Sequence, residues 1–210
     1  MYKLLPILLF AYGLAITTAD IYDNSYALII GIDKYENVKN LDYAVDDANS
    51  IRNLLVEQFS FPSDNITLLL NKKATYTKIK KALSHITRQA DEKDRILIFF
   101  AGHGATIELP ESGEMGYLLP SDGNKKDLFT TSIPMNDLKT ISSMSKAKHV
   151  LFLVDACYGG LAATNSRGLV SSTPGFIEKI TRYKSRQIIT AGGRGEKVIE
   201  KAEWGHSAFT

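Results

Sequence analysis

Two apolar runs each stop abruptly at one reactive side chain, and together they leave the chain few folds to adopt. Ile96-Leu97-Ile98-Phe99-Phe100 leads into Ala101-Gly102-His103-Gly104, and Val150-Leu151-Phe152-Leu153-Val154 leads into Asp155-Ala156-Cys157-Tyr158-Gly159-Gly160. Unbroken runs of this kind read as strands buried on both faces, the pattern of a parallel sheet covered by helices. Open α/β sheets bind ligands outside the carboxyl ends of their strands. If both runs lie in one parallel sheet, the imidazole of His103 and the thiol of Cys157 leave it at the same edge. There they make a nucleophile and its base. Cys157 is the single cysteine of the 210 residues, so an internal disulfide is excluded. A lone thiol is either a small core residue or a reactive group.

The remaining segments supply a scaffold for such a sheet. Tyr26–Gly31, Ile66–Leu70 and Gln187–Ala191 read as further strands. Leu41, Ala44, Val45, Ala48, Ile51, Leu54 and Leu55 recur at helical spacing, with Asn40 as the expected N-cap and Phe61-Pro62 as the stop. Tyr76, Ile79, Ala82, Leu83, Ile86 and Ala90 mark a second amphipathic helix, beside which His85 reads as a structural histidine. Its Lys78, Lys80, Lys81 and Arg88 form a solvated face. Thr106 to Phe129, rich in glycine and proline, reads as a long loop with a hairpin near Met115 to Leu119. Ser132 to Met144 reads as a helix with Pro134 near its first position. Leu161 to Thr173 reads as a mobile loop, and the basic residues Arg167, Lys179, Arg182, Lys184 and Arg186 follow. Trp204 to Thr210 ends the chain without a closing element. The order of strands and helices predicts one α/β domain with a mostly parallel sheet and helices on both faces.

A formal charge of +2 and the absence of a long basic run give no reason to expect nucleic acid. Met1 to Ala19 has the form of a secretory signal peptide: Lys3, an apolar stretch from Leu4 to Ile16, then small residues before Asp20. The expected organisation is therefore a signal peptide over residues 1–19, a short linker over 20–24 and a domain over 25–210. The protein is expected to be exported, or anchored in the membrane if the leader stays uncleaved.

Chemically, a thiolate attacks a carbonyl once a nearby imidazole takes its proton. Backbone N–H groups of Gly104 and Cys157 are the candidates for holding the resulting oxyanion. His103 precedes Cys157 by 54 residues, the order and approximate spacing of the caspase dyad. Ala27-Leu28-Ile29-Ile30-Gly31-Ile32, Leu41-Asp42-Tyr43-Ala44-Val45-Asp46-Asp47-Ala48, Phe100-Ala101-Gly102-His103-Gly104, Asp155-Ala156-Cys157 and Gly205-His206-Ser207-Ala208-Phe209-Thr210 follow one another. In these pieces, and over roughly residues 25 to 210, the chain resembles the caspase-like p20 domain of the caspase and metacaspase clan.

The resemblance implies a three-layer α-β-α sandwich and a cysteine endopeptidase with His103 as general base and Cys157 as nucleophile. It implies an extended peptide substrate added along the sheet edge at Ala191 and Gly192. Asp155 stands where caspases carry a glutamine, and Asn40 stands near where one of their arginines falls. Both argue against an acidic P1 residue. In metacaspase-like relatives the positions matching Asp47 and Asp155 line the S1 pocket, and paired carboxylates suit a guanidinium or ammonium. Cleavage after Arg or Lys is the expectation. Tyr158-Gly159-Gly160 suits bacterial-type relatives. Asp122, Asp127 and Asp137 make no calcium loop, so no cofactor is expected and calcium stimulation is left open. His206, His103 and Cys157 lack zinc-ligand spacing. The resembled family continues beyond Thr210 with a helix and a last strand, so a truncated chain is expected. The alternative is a caspase-like scaffold that binds without cutting. A nucleotide-binding module is remote, because Gly192-Gly193-Arg194-Gly195-Glu196-Lys197 lacks the phosphate-loop pattern.

Overall fold

A computed structural model describes residues 17–111, 113–156, 181–192, 200–201 and 203–210. In chain order the elements are α1 (Thr18–Ile21), β1 (Ser25–Gly31), α2 (Ala44–Phe59), β2 (Ile66–Leu70), α3 (Tyr76–Gln89), β3 (Arg95–Ala101), β4 (Gly104–Glu108), β5 (Glu114–Leu118) and α4 (Leu128–Thr131). They continue with β6 (Ile133–Pro134), α5 (Met135–Met144), β7 (His149–Asp155), β8 (Ser185–Thr190), β9 (Glu200–Lys201) and β10 (His206–Ser207). The central sheet has the order β2-β1-β3-β7-β8, and each neighbouring pair in it is parallel.

The apolar runs divide themselves between two cores because successive strand side chains point to opposite faces. Ile96, Ile98 and Phe100 of β3 join Leu28, Ile30, Phe152 and Val154 beneath Ile79, Leu83 and Leu138 of α3 and α5. Leu97, Phe99 and Ala101 join Ala27 and Ile29 beneath Ala44, Ala48 and Leu55 of α2. The result is the expected three-layer α-β-α sandwich. Gly31 sets how close α2 approaches the sheet: a Cβ there would lie 2.5 Å from the carbonyl oxygen of Ala44 and 2.6 Å from the Cβ of Ala48. Gly31→Ala is expected to cost about 1–3 kcal/mol by overpacking, read as a lower denaturant midpoint at unchanged slope.

Several local expectations need correction. The stretch from Thr106 is not a long loop. It contributes to a three-stranded antiparallel sheet, β4-β5-β6, with Gly116 inside β5 opposite Thr106 and Gly113 at φ +87° where the β4–β5 hairpin turns. Helix α5 starts at Met135 and not at Ser132, because Ile133 and Pro134 are already paired with β5. Asn40 does not cap α2, which begins at Ala44; its Oδ1 accepts the Tyr35 N–H at 3.0 Å. The carboxylate of Asp33, just beyond β1, takes the Val45 N–H at 3.3 Å instead. His85 is exposed and holds nothing in the core. The chain end is not free: β10 pairs antiparallel with β9.

The expected linker is docked. Asp23 donates its N–H to Lys93 O, Asn24 donates its N–H to Asp94, and Tyr22 Oη lies 2.5 Å from His149 Nδ1. Residues 1–16 of the expected leader lie outside the described residues; among those described, no helix is long and apolar enough to cross a membrane. Arg167 and Lys179 also lie outside them. Arg186 is not a loop residue. It stands on β8 and donates to the carbonyls of Ser142, Ser145, Ala147 and Lys148, so it holds the exposed carbonyls where α5 ends. Arg186→Ala is expected to lower the unfolding free energy by roughly 2 kcal/mol, since several charge-assisted bonds to these carbonyls are lost together. Thermal unfolding of the variant checks this.

Candidate active site

The β3–β7 ladder pairs Ala101 with Asp155, and Gly102 donates its N–H across to Asp155 O at 3.1 Å. Both strands thus end in one row at the same edge. His103 follows this row by two residues on one strand, and Cys157 follows it by two on the other. Cys157 itself, with Tyr158 to Gly160, lies outside the described residues. Ala156 is the last described residue before it and is buried.

His103 is held by three contacts. Its backbone N–H donates to the hydroxyl of Tyr35 at 2.7 Å, its ring lies 4.8 Å from the Tyr35 ring, and its Nε2 lies 2.7 Å from the carbonyl oxygen of Lys39. A carbonyl can only accept, so Nε2 carries the proton and Nδ1 keeps its lone pair. Burial pushes the imidazole below its ordinary range. The Lys39 bond opposes this, and the charge of Lys125 adds to it. The ring is therefore a neutral base at neutral pH. Gly102 is required by the same arrangement, because a Cβ would come within 2.6 Å of the Tyr35 hydroxyl.

Gly104 opens β4. Leu119 donates its N–H to His103 O, while Gly104 is paired in register with Leu118. In an antiparallel ladder this makes Gly104 and Leu118 a non-hydrogen-bonded pair, so the ladder leaves the Gly104 N–H turned away from β5. At the other side of the row, β8 is the outer strand of the central sheet. Ala191 donates its N–H inward to Val154 O, and Thr190 Oγ1 donates to Gly192 O.

The two singled-out carboxylates meet although 108 residues separate them in sequence. Asp47 stands in the first turn of α2 and Asp155 closes β7; both are buried. His206 Nδ1 lies 2.9 Å from Asp47 Oδ1, and the Ser207 N–H reaches both Asp47 oxygens at 3.3 and 3.4 Å. Ser207 Oγ donates to Asp155 Oδ2, which Thr210 Oγ1 also approaches at 3.4 Å. Asp155 Oδ1 is buried without a hydrogen-bond partner among the described residues. Burial drives the Asp155 carboxyl up to about 6; the Ser207 bond opposes the rise, the neighbouring Asp47 charge adds to it, and Thr210 opposes it. Asp47 is raised by burial as well, against the bond from His206. Neither carboxylate is paired with a lysine or arginine among the described residues.

Sequence reasoning therefore selected His103, Gly104, Asp47 and Asp155. It missed Tyr35, the Lys39 carbonyl, Ser207, Thr210 and the contact of His206. Only the terminal Gly-His-Ser-Ala-Phe-Thr stretch carried a signal, and that signal assigned no role to its residues.

Comparison with known proteins defines the class. The caspase domain family model matches residues 24–203, and the chain belongs to that family. Among relatives, metacaspase-7 of Arabidopsis thaliana is 28% identical over 146 residues, covering 64% of this chain and 34% of the relative. Metacaspase-6 of the same plant is 28% identical over 184 residues, covering 80% of this chain and 48% of the relative. The chain spans about a third to a half of the length of these relatives. A crystal structure of caspase-1 from Spodoptera frugiperda superposes with a TM-score of 0.53 at 15% identity, over 85% of this chain and 62% of that one. A Geobacter sulfurreducens protein superposes with a TM-score of 0.52 at 18% identity, over 65% of this chain and 51% of that one. These superpositions match the α/β sandwich with its parallel sheet, and family membership supports a cysteine-type peptidase.

Proposed function

We propose that this domain is a cysteine endopeptidase that cleaves after arginine or lysine, with His103 as base and Cys157 as nucleophile. The observation that carries the reading is the β3–β7 register. It ends both strands in one row, from which the histidine and the cysteine each follow two residues later. His103 Nδ1 takes the thiol proton, and the sulfur attacks the scissile carbonyl carbon. The carbonyl oxygen becomes an oxyanion facing the N–H groups of Gly104 and Cys157, each such donor being worth about 3 kcal/mol. The imidazolium then gives its proton to the leaving amine as the C–N bond breaks. Water, deprotonated by the same imidazole, cleaves the acyl-enzyme and restores the thiol. The reading routes no step through a metal and assigns no cofactor.

The substrate runs as an extended strand beside Ala191 and Gly192 in the manner of β-augmentation. Its P1 side chain goes to Asp47 and Asp155. Two buried carboxylates facing no lysine or arginine among the described residues, one with an orphan oxygen, are the groups a guanidinium satisfies. Residues 1–19 serve as an export leader in this reading. A panel of fluorogenic peptides varied only at P1, with and without calcium, tests it. Arg and Lys are expected to be turned over, and Asp at P1 is not. Hydrolysis independent of the P1 residue counts against the pocket, and no hydrolysis of any peptide counts against the peptidase.

A further inference from the structure

His206 sits where the substrate's base is expected, and this inference rests on the reading of Asp47 and Asp155 as the P1 pocket. We propose that His206 is a specificity-determining residue of that pocket: its imidazole occupies Asp47 as an internal stand-in for the P1 cation and leaves when a substrate base enters.

The two partners are not equally free to move. The Asp47 side chain is 1% exposed and fixed in the first turn of a 16-residue helix, whereas the His206 side chain is 36% exposed. His206 also stands on β10, a strand two residues long whose ladder partner is β9. When the pair separates, the carboxylate has nowhere to go and the imidazole has solvent behind it. Separation does not collapse the pocket. The Ser207 N–H still reaches both Asp47 oxygens, and Ser207 Oγ still holds Asp155 Oδ2.

The donors explain which cation wins. His206 brings one N–H to one carboxylate and leaves Asp155 Oδ1 without a partner. A guanidinium carries five N–H donors in a planar fork and serves both carboxylates at once. An ammonium carries three donors on a point charge and fits the pair less well. The stand-in is therefore displaced more readily by arginine than by lysine, and Arg is preferred over Lys at P1.

Agmatine, which carries the guanidinium without a peptide, is the binding probe for the full chain. Affinity is measured by calorimetry on wild type, His206→Ala, His206→Gln and His206→Lys, alongside kcat and KM for a P1-Arg peptide. His206→Ala is expected to bind agmatine about fivefold tighter, the value of one removed competing hydrogen bond, and to lower KM by a similar factor with kcat within about twofold. His206→Lys places a tethered ammonium on the pair and is expected to weaken both by on the order of tenfold. His206→Gln, which keeps a neutral donor and the local packing, is expected to stay near wild type and serves as the folding control.

Equal agmatine affinity in wild type, His206→Ala and His206→Lys overturns the stand-in while leaving the P1 pocket intact. Weaker binding by His206→Ala also overturns it, since the imidazole is then a support and not a competitor. Agmatine binding to none of the proteins, with no preference for P1 Arg, overturns the pocket reading and the inference together.

Discussion

Cys157→Ala and His103→Ala are each expected to abolish peptide hydrolysis, with a loss on the order of 10⁴-fold or more because the two groups act as one unit. The double variant is expected to lose no more than either single one. The effect follows from the hold on His103. Nε2 is committed to the Lys39 carbonyl, the backbone N–H is committed to Tyr35, and burial keeps the ring neutral at neutral pH. The fold should be spared in His103→Ala, because His103 follows the end of β3 and does not belong to the buried clusters. Melting temperatures within a few degrees of wild type check that point. Iodoacetamide supplies a second readout: alkylation of wild type at neutral pH is expected to outpace a simple thiol, and His103→Ala is expected to remove the excess. Hydrolysis surviving in Cys157→Ala would falsify the assignment.

Asp155→Asn is expected to separate activity from stability. It should lower kcat/KM for P1-Arg peptides by on the order of a hundredfold, as one of two carboxylates facing the cation is lost. Its stability relative to wild type should rise with pH. The folded-state carboxyl is lifted to about 6 from its ordinary 3.8, so the native state binds the proton more tightly than the unfolded chain. That contribution is fully present below the unfolded value and is lost as pH climbs through the folded one. Between about pH 4 and 6, wild type therefore loses stability that the amide variant retains. The difference levels off above pH 6 at roughly 3 kcal/mol as an upper figure. Unfolding of both proteins at pH 4, 5, 6 and 7.5 measures it, and a difference that stays flat with pH would remove the buried-carboxylate account. In the proposed pocket the same proton would govern binding, because a P1 cation pairs with the ionised carboxylate: wild-type kcat/KM for P1-Arg peptides is expected to fall as the pH drops below about 6, and Asp155→Asn is expected to flatten that limb.

How much of this was legible beforehand depended on whether the signal was local. The strands β1, β3 and β7, in the middle of the sheet, were visible because a strand covered on both faces is apolar along nearly its whole length, and such runs are conspicuous in sequence; the outer strands β2 and β8 showed as shorter apolar segments, Ile66–Leu70 and Ile188-Ile189. The antiparallel sheet β4-β5-β6 was not visible, because short strands with one buried face mix with the glycines and prolines of their own turns. The start of α2 was placed too early. Its first-turn N–H bond goes to Asp33, a partner twelve residues away, and not to the nearer Asn40. Arg186 looked like one more basic loop residue until the carbonyls around it were seen.

The amino-acid order alone marked β3 and β7 as apolar strands of one parallel sheet, followed two residues on by His103 and Cys157. It also singled out Asp47 and Asp155 through their likeness to a known family. Only the tertiary structure decided that these carboxylates are buried beside each other, that the Lys39 carbonyl sets the tautomer of His103 while Tyr35 holds its backbone N–H, and that His206 and Ser207 reach back to the acidic pair. Strand identity is written in the hydrophobicity of neighbouring residues. Contacts between residues more than 150 positions apart, such as Asp47 with His206, depend on how the layers close, which no local pattern encodes.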